Sequence, residues 1–186
     1  MENLSGKKVL LAVTGGIAAY KACSLVNYLL KEGAEVKIVM SDNATRFVTP
    51  LTFQALANSN VYVDMWDIQN PKEVEHITLA QWPNLIIIAP ASANTIAKIA
   101  YGIADNLLTT VILASIQEIP VLIAPAMNTQ MWINPITQQN IEKLKKIKKF
   151  AFVGPEEGKL ACRDEGVGKI ASLESIVSSA IKLLLK

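Results

Sequence analysis

Few of the 186 residues carry groups suited to chemistry, and those that do fall in short stretches. The chain has one imidazole, His76, and two thiols, Cys23 and Cys162. An imidazole titrates near neutrality and can move protons, although a lone histidine is equally at home on a surface or satisfied in a core. A free thiol acts as nucleophile or acid only where its surroundings favour the thiolate.

Four further stretches could hold a ligand. In Thr14-Gly15-Gly16-Ile17 the glycines let the backbone approach an anion, and a following helix start would offer free N–H groups. The third glycine of the dinucleotide fingerprint is absent, so a phosphate cradle and a plain tight turn both fit. Ser41-Asp42-Asn43 can cap a helix or hydrogen-bond a ligand. In Pro90 to Thr95, Ala91 and Ala93 leave room for a flat ring while Ser92, Asn94 and Thr95 offer hydrogen bonds, with Ser92 equally suited to be an N-cap. Folding alone does not require the combination Pro125-Ala126-Met127-Asn128 followed by Met131 and Trp132.

Strands and helices must place these stretches. Lys8 to Val13 is a short apolar run broken by Thr14-Gly15-Gly16, and Ile17 to Lys31 then shows helical spacing up to Gly33. Glu35 to Met40, Asn84 to Ala89, Pro120 to Ala124 and Phe150 to Val153 read as further strands, nearly all apolar as expected when both faces are covered. Between and after them the pattern predicts helices over Pro50 to Ala57, Ala93 to Tyr101, Asn106 to Ala114, Ile136 to Ile147 and Leu173 to Leu184. Alternation of this kind predicts an α/β doubly wound, Rossmann- or flavodoxin-like parallel sheet with helices on both faces. The four candidate stretches each follow a strand, where ligands bind in open parallel sheets. Gly154 to Lys169 reads as a long loop with little apolar content, a kind often functional.

Composition narrows the function classes. The length suits one domain over residues 1–186. A formal charge of +2 is too small to point to nucleic acid, and the basic run Lys143 to Lys149 reads as a solvated helix face. No apolar run approaches the ~18 residues of a membrane span, and the short run Val9 to Val13 is not a signal peptide, so a cytoplasmic location is expected. A reducing cytoplasm argues against a disulfide, and Cys23 reads as a buried inert thiol in the first helix. The two cysteines show no metal-ligand spacing, so no metal is expected.

Pro90 to Thr95 (PASANT), Pro125 to Trp132 (PAMNTQMW) and His76 between Glu75 and Ile77 occur in an order that resembles the flavin-dependent cysteine decarboxylase family. The resemblance runs from about Lys8 to Lys169 and extends to Gly158-Lys159-Leu160-Ala161-Cys162, which is similar to the flexible clamp of the family's coenzyme A branch. It implies FMN as cofactor, with Gly15, Gly16, Ile17, Ser41, Asn43, Ser92, Ala93, Asn94, Thr95 and Ala126 as contacts. It also implies that His76 is the active-site base and Cys162 the proton donor, with Met127, Asn128, Lys159 and Ala161 binding substrate.

The implied reaction is decarboxylation of 4'-phosphopantothenoylcysteine to 4'-phosphopantetheine in coenzyme A biosynthesis. A simple amino-acid-derived carboxylate has nowhere to place the electrons left by departing carbon dioxide. The family therefore oxidises the thiol to a thioaldehyde by hydride transfer to FMN, loses carbon dioxide to give an enethiolate, and in this branch reduces that product with the same flavin. Arg163 follows Cys162 where the branch usually has glycine, and Gly168-Lys169-Ile170 stands where it usually has glycine, arginine, methionine. Lys169 keeps a positive charge but lacks arginine's planar fork.

Two alternatives stay open: peptidyl-cysteine decarboxylation of the lantibiotic type, and a non-catalytic regulatory flavoprotein subunit. The joint presence of His76, Asn128 and Cys162 favours an enzyme. Prenyl transfer to flavin on a related fold fits poorly, because its glycine-serine loop and phosphate arginines are not evident. The resemblance further implies a homo-oligomer, a trimer or a dodecamer, with active sites between subunits. It also implies that the ligase activity fused to this domain in many bacteria comes from another polypeptide or segment.

Overall fold

A computed structural model describes residues 4–66, 75–159 and 165–185. Six strands form one parallel sheet: β1 (Lys8–Val13), β2 (Glu35–Met40), β3 (Val61–Tyr62), β4 (Leu85–Ala91), β5 (Val121–Pro125) and β6 (Phe150–Phe152), in spatial order β3-β2-β1-β4-β5-β6. The order reverses between β1 and β4, which opens a crevice at their carboxyl ends. The doubly wound α/β sheet expected from the apolar strands is therefore present.

Side-chain alternation divides the core in two. Val9, Leu11 and Val13 of β1, with Leu85, Ile87 and Ala89 of β4, face α1 (Ala19–Lys31), α3 (Pro50–Ala57) and α9 (Leu173–Leu184). Leu10, Ala12, Ile86 and Ile88 face the other way, onto α4 (Glu75–Gln81), α5 (Ala93–Tyr101), α6 (Leu107–Ala114) and α8 (Pro135–Lys145). Burial on both faces is why these strands carry unbroken apolar runs instead of a polar alternation. The helix starts also follow from sequence: the side chains of Ser92, Asn106 and Ser172 accept from Thr95 N, Thr109 N and Ser175 N, which satisfies a free N–H of the first turn of α5, α6 and α9.

Several short elements depart from the sequence expectation. Gly154 to Lys169 is not a loop throughout, because β7 (Glu156–Lys159) and β8 (Glu165–Lys169) pair as an antiparallel hairpin. Its strands are polar and glycine-rich, so they carry no apolar alternation to betray them. Two helices of four and five residues, α2 (Asp42–Thr45) and α7 (Thr129–Ile133), are too short to show a period, and α4 fits fewer than two full turns of apolar residues.

The basic run also divides. Helix α8 ends at Lys145, and Lys149 lies beyond it in a buried position, donating to Ser115 O and Oγ at 2.7 Å and to Ile116 O at 3.1 Å. It is thus not part of a solvated helix face; the chain has already turned toward β6. Cys23 is half-buried, and burial pushes its thiol pKa up, offset in part by a backbone hydrogen bond. Among the described residues no helix is long and apolar enough to cross a membrane.

Candidate active site

Four segments meet at the carboxyl end of the sheet, and hydrogen bonds join them in a chain. Thr14, just after β1, is buried; its hydroxyl donates to Pro90 O at 2.7 Å and accepts from Ser92 N at 2.9 Å. The segment after β5 is held in turn, because Ala126 N donates to Ala91 O at 3.0 Å. Met127 N then donates to Gly168 O at 3.0 Å and so fastens the hairpin. The loop after β1, the loop after β4, the loop after β5 and the hairpin are thereby set relative to one another without any long side chain.

These segments enclose a cleft of about 680 Å3, within the range of roughly 300–1,000 Å3 common for small-molecule sites. Of the residues singled out in the sequence, Gly15, Gly16, Ile17, Ser92, Ala93, Ala126, Met127, Asn128 and Lys159 line it. Met131 of α7 and Lys169 of the hairpin, both noted in the sequence, line it too, and the structure brings in others that the motifs did not mark: Ala18 at the N-cap of α1, Tyr20 and Lys21 in its first turn, and Gly168 and Ile170 from the hairpin and beyond. Thr14 and Pro90 also lie on the wall. Tyr20 and Lys21 lie in the first helical turn after a glycine turn that follows a strand, a position that points to the right region but not to which side chains face inward.

Other expected residues are not on the wall. Thr95 is buried and tied to Ser92, Asn94 is exposed, and Ser41 stands at the start of α2 with no side-chain cap bond. Asn43 backs the glycine turn: a Cβ on Gly15 would come within 2.5 Å of the Asn43 Cβ. His76 lies in α4 and does not line the cleft of its own chain. Helix α4 ends just before β4 begins, so its N-terminal end, with His76, sits on the same edge of the sheet as the cleft. Ala161 and Cys162 fall outside the described residues.

The cleft suits a flat, partly apolar ligand with an anionic end. Ile17, Tyr20, Met127, Met131 and Ile170 give apolar walls, and Ala93 and Ala126 keep them thin. At the glycine turn a Cβ on Gly16 would meet nothing within 4 Å, and α1 has Ala18 at its N-cap, with no side-chain cap on its first N–H groups. An open backbone at an uncapped helix start is a site for a phosphate. Among the described residues the lining includes three lysines, Lys21, Lys159 and Lys169, and no acid. Burial holds the Lys21 ammonium below its ordinary pKa, the charge of Lys169 lowers it further, and Glu156 partly offsets both. Glu156 faces Lys169 across the hairpin and accepts from Ser172 N at 2.8 Å, which anchors the hairpin base to α9. At Asn128 the side-chain Oδ1 accepts from Gln130 N at 2.8 Å and starts α7.

The Flavoprotein family model matches residues 1–185. The chain belongs to the Flavoprotein family. The resemblance read from the PASANT and PAMNTQMW stretches is thereby borne out. The coenzyme A biosynthesis bifunctional protein CoaBC of Bacillus subtilis (strain 168) is 49% identical over 179 residues, covering 96% of this chain and 43% of that protein. The chain thus spans less than half the length of this bifunctional relative. A protein of Streptococcus mutans named "Probable phosphopantothenoylcysteine decarboxylase" is 47% identical over 171 residues, covering 92% of this chain and 95% of its own length. Among solved structures, a PPC decarboxylase mutant complexed with pantothenoylaminoethenethiol superposes with a TM-score of 0.86 at 35% identity, covering 97% of this chain and 99% of the other. The FMN binding protein AtHal3 superposes with a TM-score of 0.80 at 36% identity, covering 94% of each chain.

Proposed function

We propose that this chain is the FMN-dependent decarboxylase that converts 4'-phosphopantothenoylcysteine to 4'-phosphopantetheine. The observation that carries the reading is the cleft itself, in which an uncapped glycine turn, an asparagine and a lysine-bearing hairpin are hydrogen-bonded into one frame. The relative from Streptococcus mutans, matched over 95% of its length, bears the name of that activity.

FMN fits the residues present: its phosphate is suited to the backbone of Gly15 and Gly16 and the start of α1, and its ring to the thin wall of Ala93 and Ala126. When bound, it supplies a hydride acceptor for the substrate thiol and a hydride donor for the last step. Asn128 binds the carboxylate that is lost; a neutral amide donates to it without stabilising the charged ground state as a cation would. Lys159 and Lys169 attract the anionic substrate, whose phosphate gives the excess positive charge of the cleft a partner. A peptidyl cysteine would bring no such phosphate, which favours the coenzyme A reading. Cys162 then delivers the proton that completes the reduction.

His76 reaches the chemistry from a second copy of the chain. Large apolar side chains stand exposed on elements toward both edges of the sheet: Leu51 at 71% and Trp66 at 80% flank β3 in sequence, and Ile133 and Ile136 lie between β5 and β6. Two unlike apolar faces suit a head-to-tail contact that closes into a ring, as a trimer does. The function is tested by anaerobic incubation of the FMN-loaded protein with 4'-phosphopantothenoylcysteine and mass analysis. Formation of 4'-phosphopantetheine with loss of carbon dioxide is expected; unchanged substrate would overturn the reading.

A further inference from the structure

The segment that enters α7 meets strand β8 at two residue pairs that flank Asn128. On one side Met127 N donates to Gly168 O at 3.0 Å. On the other, Thr129, the first residue of α7, lies against Gly166. A Cβ on Gly166 would stand 2.5 Å from Thr129 Oγ1, 3.2 Å from its Cγ2 and 3.3 Å from its Cβ, so one side chain supplies all three nearest atoms.

The backbone at Gly166 does not itself call for glycine. Gly158 and Gly168 have φ of +152°, whereas Gly166 has no positive φ and a conformation open to other residues. The bulk of Thr129 is what keeps position 166 bare. Thr129 Oγ1 is buried and, among the described residues, has no hydrogen-bond partner. An unpaired buried hydroxyl costs stability, so this side chain acts at the contact through its shape. Thr129 does not line the cleft.

The contact bears on the cleft through what the hairpin carries. Gly166 pairs with Gly158 across the hairpin, next to the pair Lys159 and Glu165, and β8 runs on through Gly168 to Lys169. Lys159, Gly168 and Lys169 all line the cleft. How closely β8 approaches α7 therefore sets where Lys159 and Lys169 stand relative to Asn128, which adjoins Thr129 and caps the same helix.

We propose that Thr129 and Gly166 form a size-matched pair that fixes the height of the hairpin over the cleft, with Thr129 a positioning residue for the anionic part of the substrate. The proposal rests on the substrate reading above.

The test exchanges volume between the two positions in the FMN-loaded protein. Gly166→Ala overfills the contact and should raise KM for 4'-phosphopantothenoylcysteine at least about fivefold, with kcat within about twofold and FMN per chain unchanged. Thr129→Leu, which enlarges the other member, should act in the same direction. Adding Thr129→Gly to Gly166→Ala returns the space and should restore KM to within about twofold, a coupling that two independent sites would not show. Thr129→Val keeps the shape without the hydroxyl and should leave KM within about twofold. A second readout needs no turnover: tryptic cleavage after Lys159, which follows the population of opened hairpin, should quicken at least about fivefold in Gly166→Ala and revert in the double variant. Unchanged KM in Gly166→Ala, no recovery in the double variant, or a raised KM in Thr129→Val overturns the proposal. If the unaltered protein does not turn over this substrate, the functional reading falls, and cleavage that fails to quicken or to revert overturns the pair by itself.

Discussion

Met127 donates its backbone N–H to Gly168 O at 3.0 Å, and Gly168 lacks the Cβ that would collide with the Met127 carbonyl oxygen. This contact seats the hairpin on the cleft. Gly168 has φ +152°, a conformation that side chains rarely adopt, so two independent constraints select glycine. Gly168→Ala is expected to unseat the hairpin while leaving the glycine turn and the ring wall intact. Substrate KM should rise about tenfold or more, as a displaced binding segment does, with flavin absorbance per chain unchanged. Unaltered KM would remove the contact from substrate binding.

Thr14 joins the loops after β1 and β4 through one hydroxyl that donates and accepts. Thr14→Val keeps the shape, strands Ser92 N and leaves Pro90 O with only the longer bond from Thr14 N at 3.3 Å. Unfolding measured in denaturant should show a loss of about 1–3 kcal/mol, and FMN should dissociate more readily, because both loops line the cleft.

How far the sequence could be read follows from these contacts. The strands were legible because both faces are buried and the apolar runs are unbroken, and the ends of α3, α5 and α9 agree with the spacing and caps. The hairpin was not legible: its seating depends on a missing Cβ at Gly168 and a backbone bond to Met127, neither of which leaves a periodic signal. Lys21 and Tyr20 escaped for a related reason. They follow a turn that admits two readings, and only the folded cleft shows which of their neighbours face inward. Lys149 was misread because the basic run crosses the end of α8, and burial of a lysine is decided by where the chain turns.

The lowered pKa of Lys21 makes a pH prediction. Its folded value lies below the ordinary 10.5, so between the two the unfolded chain binds more protons and stability rises with pH through that window. Lys21→Met should flatten this rise. Lys169→Met should move the Lys21 pKa up by removing a like charge, and Glu156→Gln should move it down by removing an opposite one. NMR titration of the Lys21 side chain checks both directions, and a shift of the wrong sign in either variant would break the assigned coupling.

If His76 of one copy serves the cleft of another, two inactive variants can restore each other. His76→Asn and Asn128→Asp should each abolish turnover while keeping FMN. Mixed by co-expression, they should recover about a quarter of the normal activity per site, because a head-to-tail contact pairs an intact His76 with an intact Asn128 at that frequency. Absence of recovery in a proven mixed oligomer would mean that each cleft uses its own histidine.

Cys162→Ser separates the last step from the earlier ones. Oxidation of the thiol and loss of carbon dioxide need His76, Asn128 and the flavin, whereas reduction of the enethiol also needs a proton, which a thiol releases far more readily than a serine hydroxyl. The variant should therefore consume 4'-phosphopantothenoylcysteine, release carbon dioxide and stop, leaving the flavin reduced until oxygen or another acceptor takes the electrons. Its product should be two hydrogens lighter than 4'-phosphopantetheine, and anaerobic mass analysis reads that difference directly. Fully reduced product at the normal rate would show that Cys162 is not the donor, and the peptidyl-type reaction, which ends at the enethiol, would regain its claim on this chain.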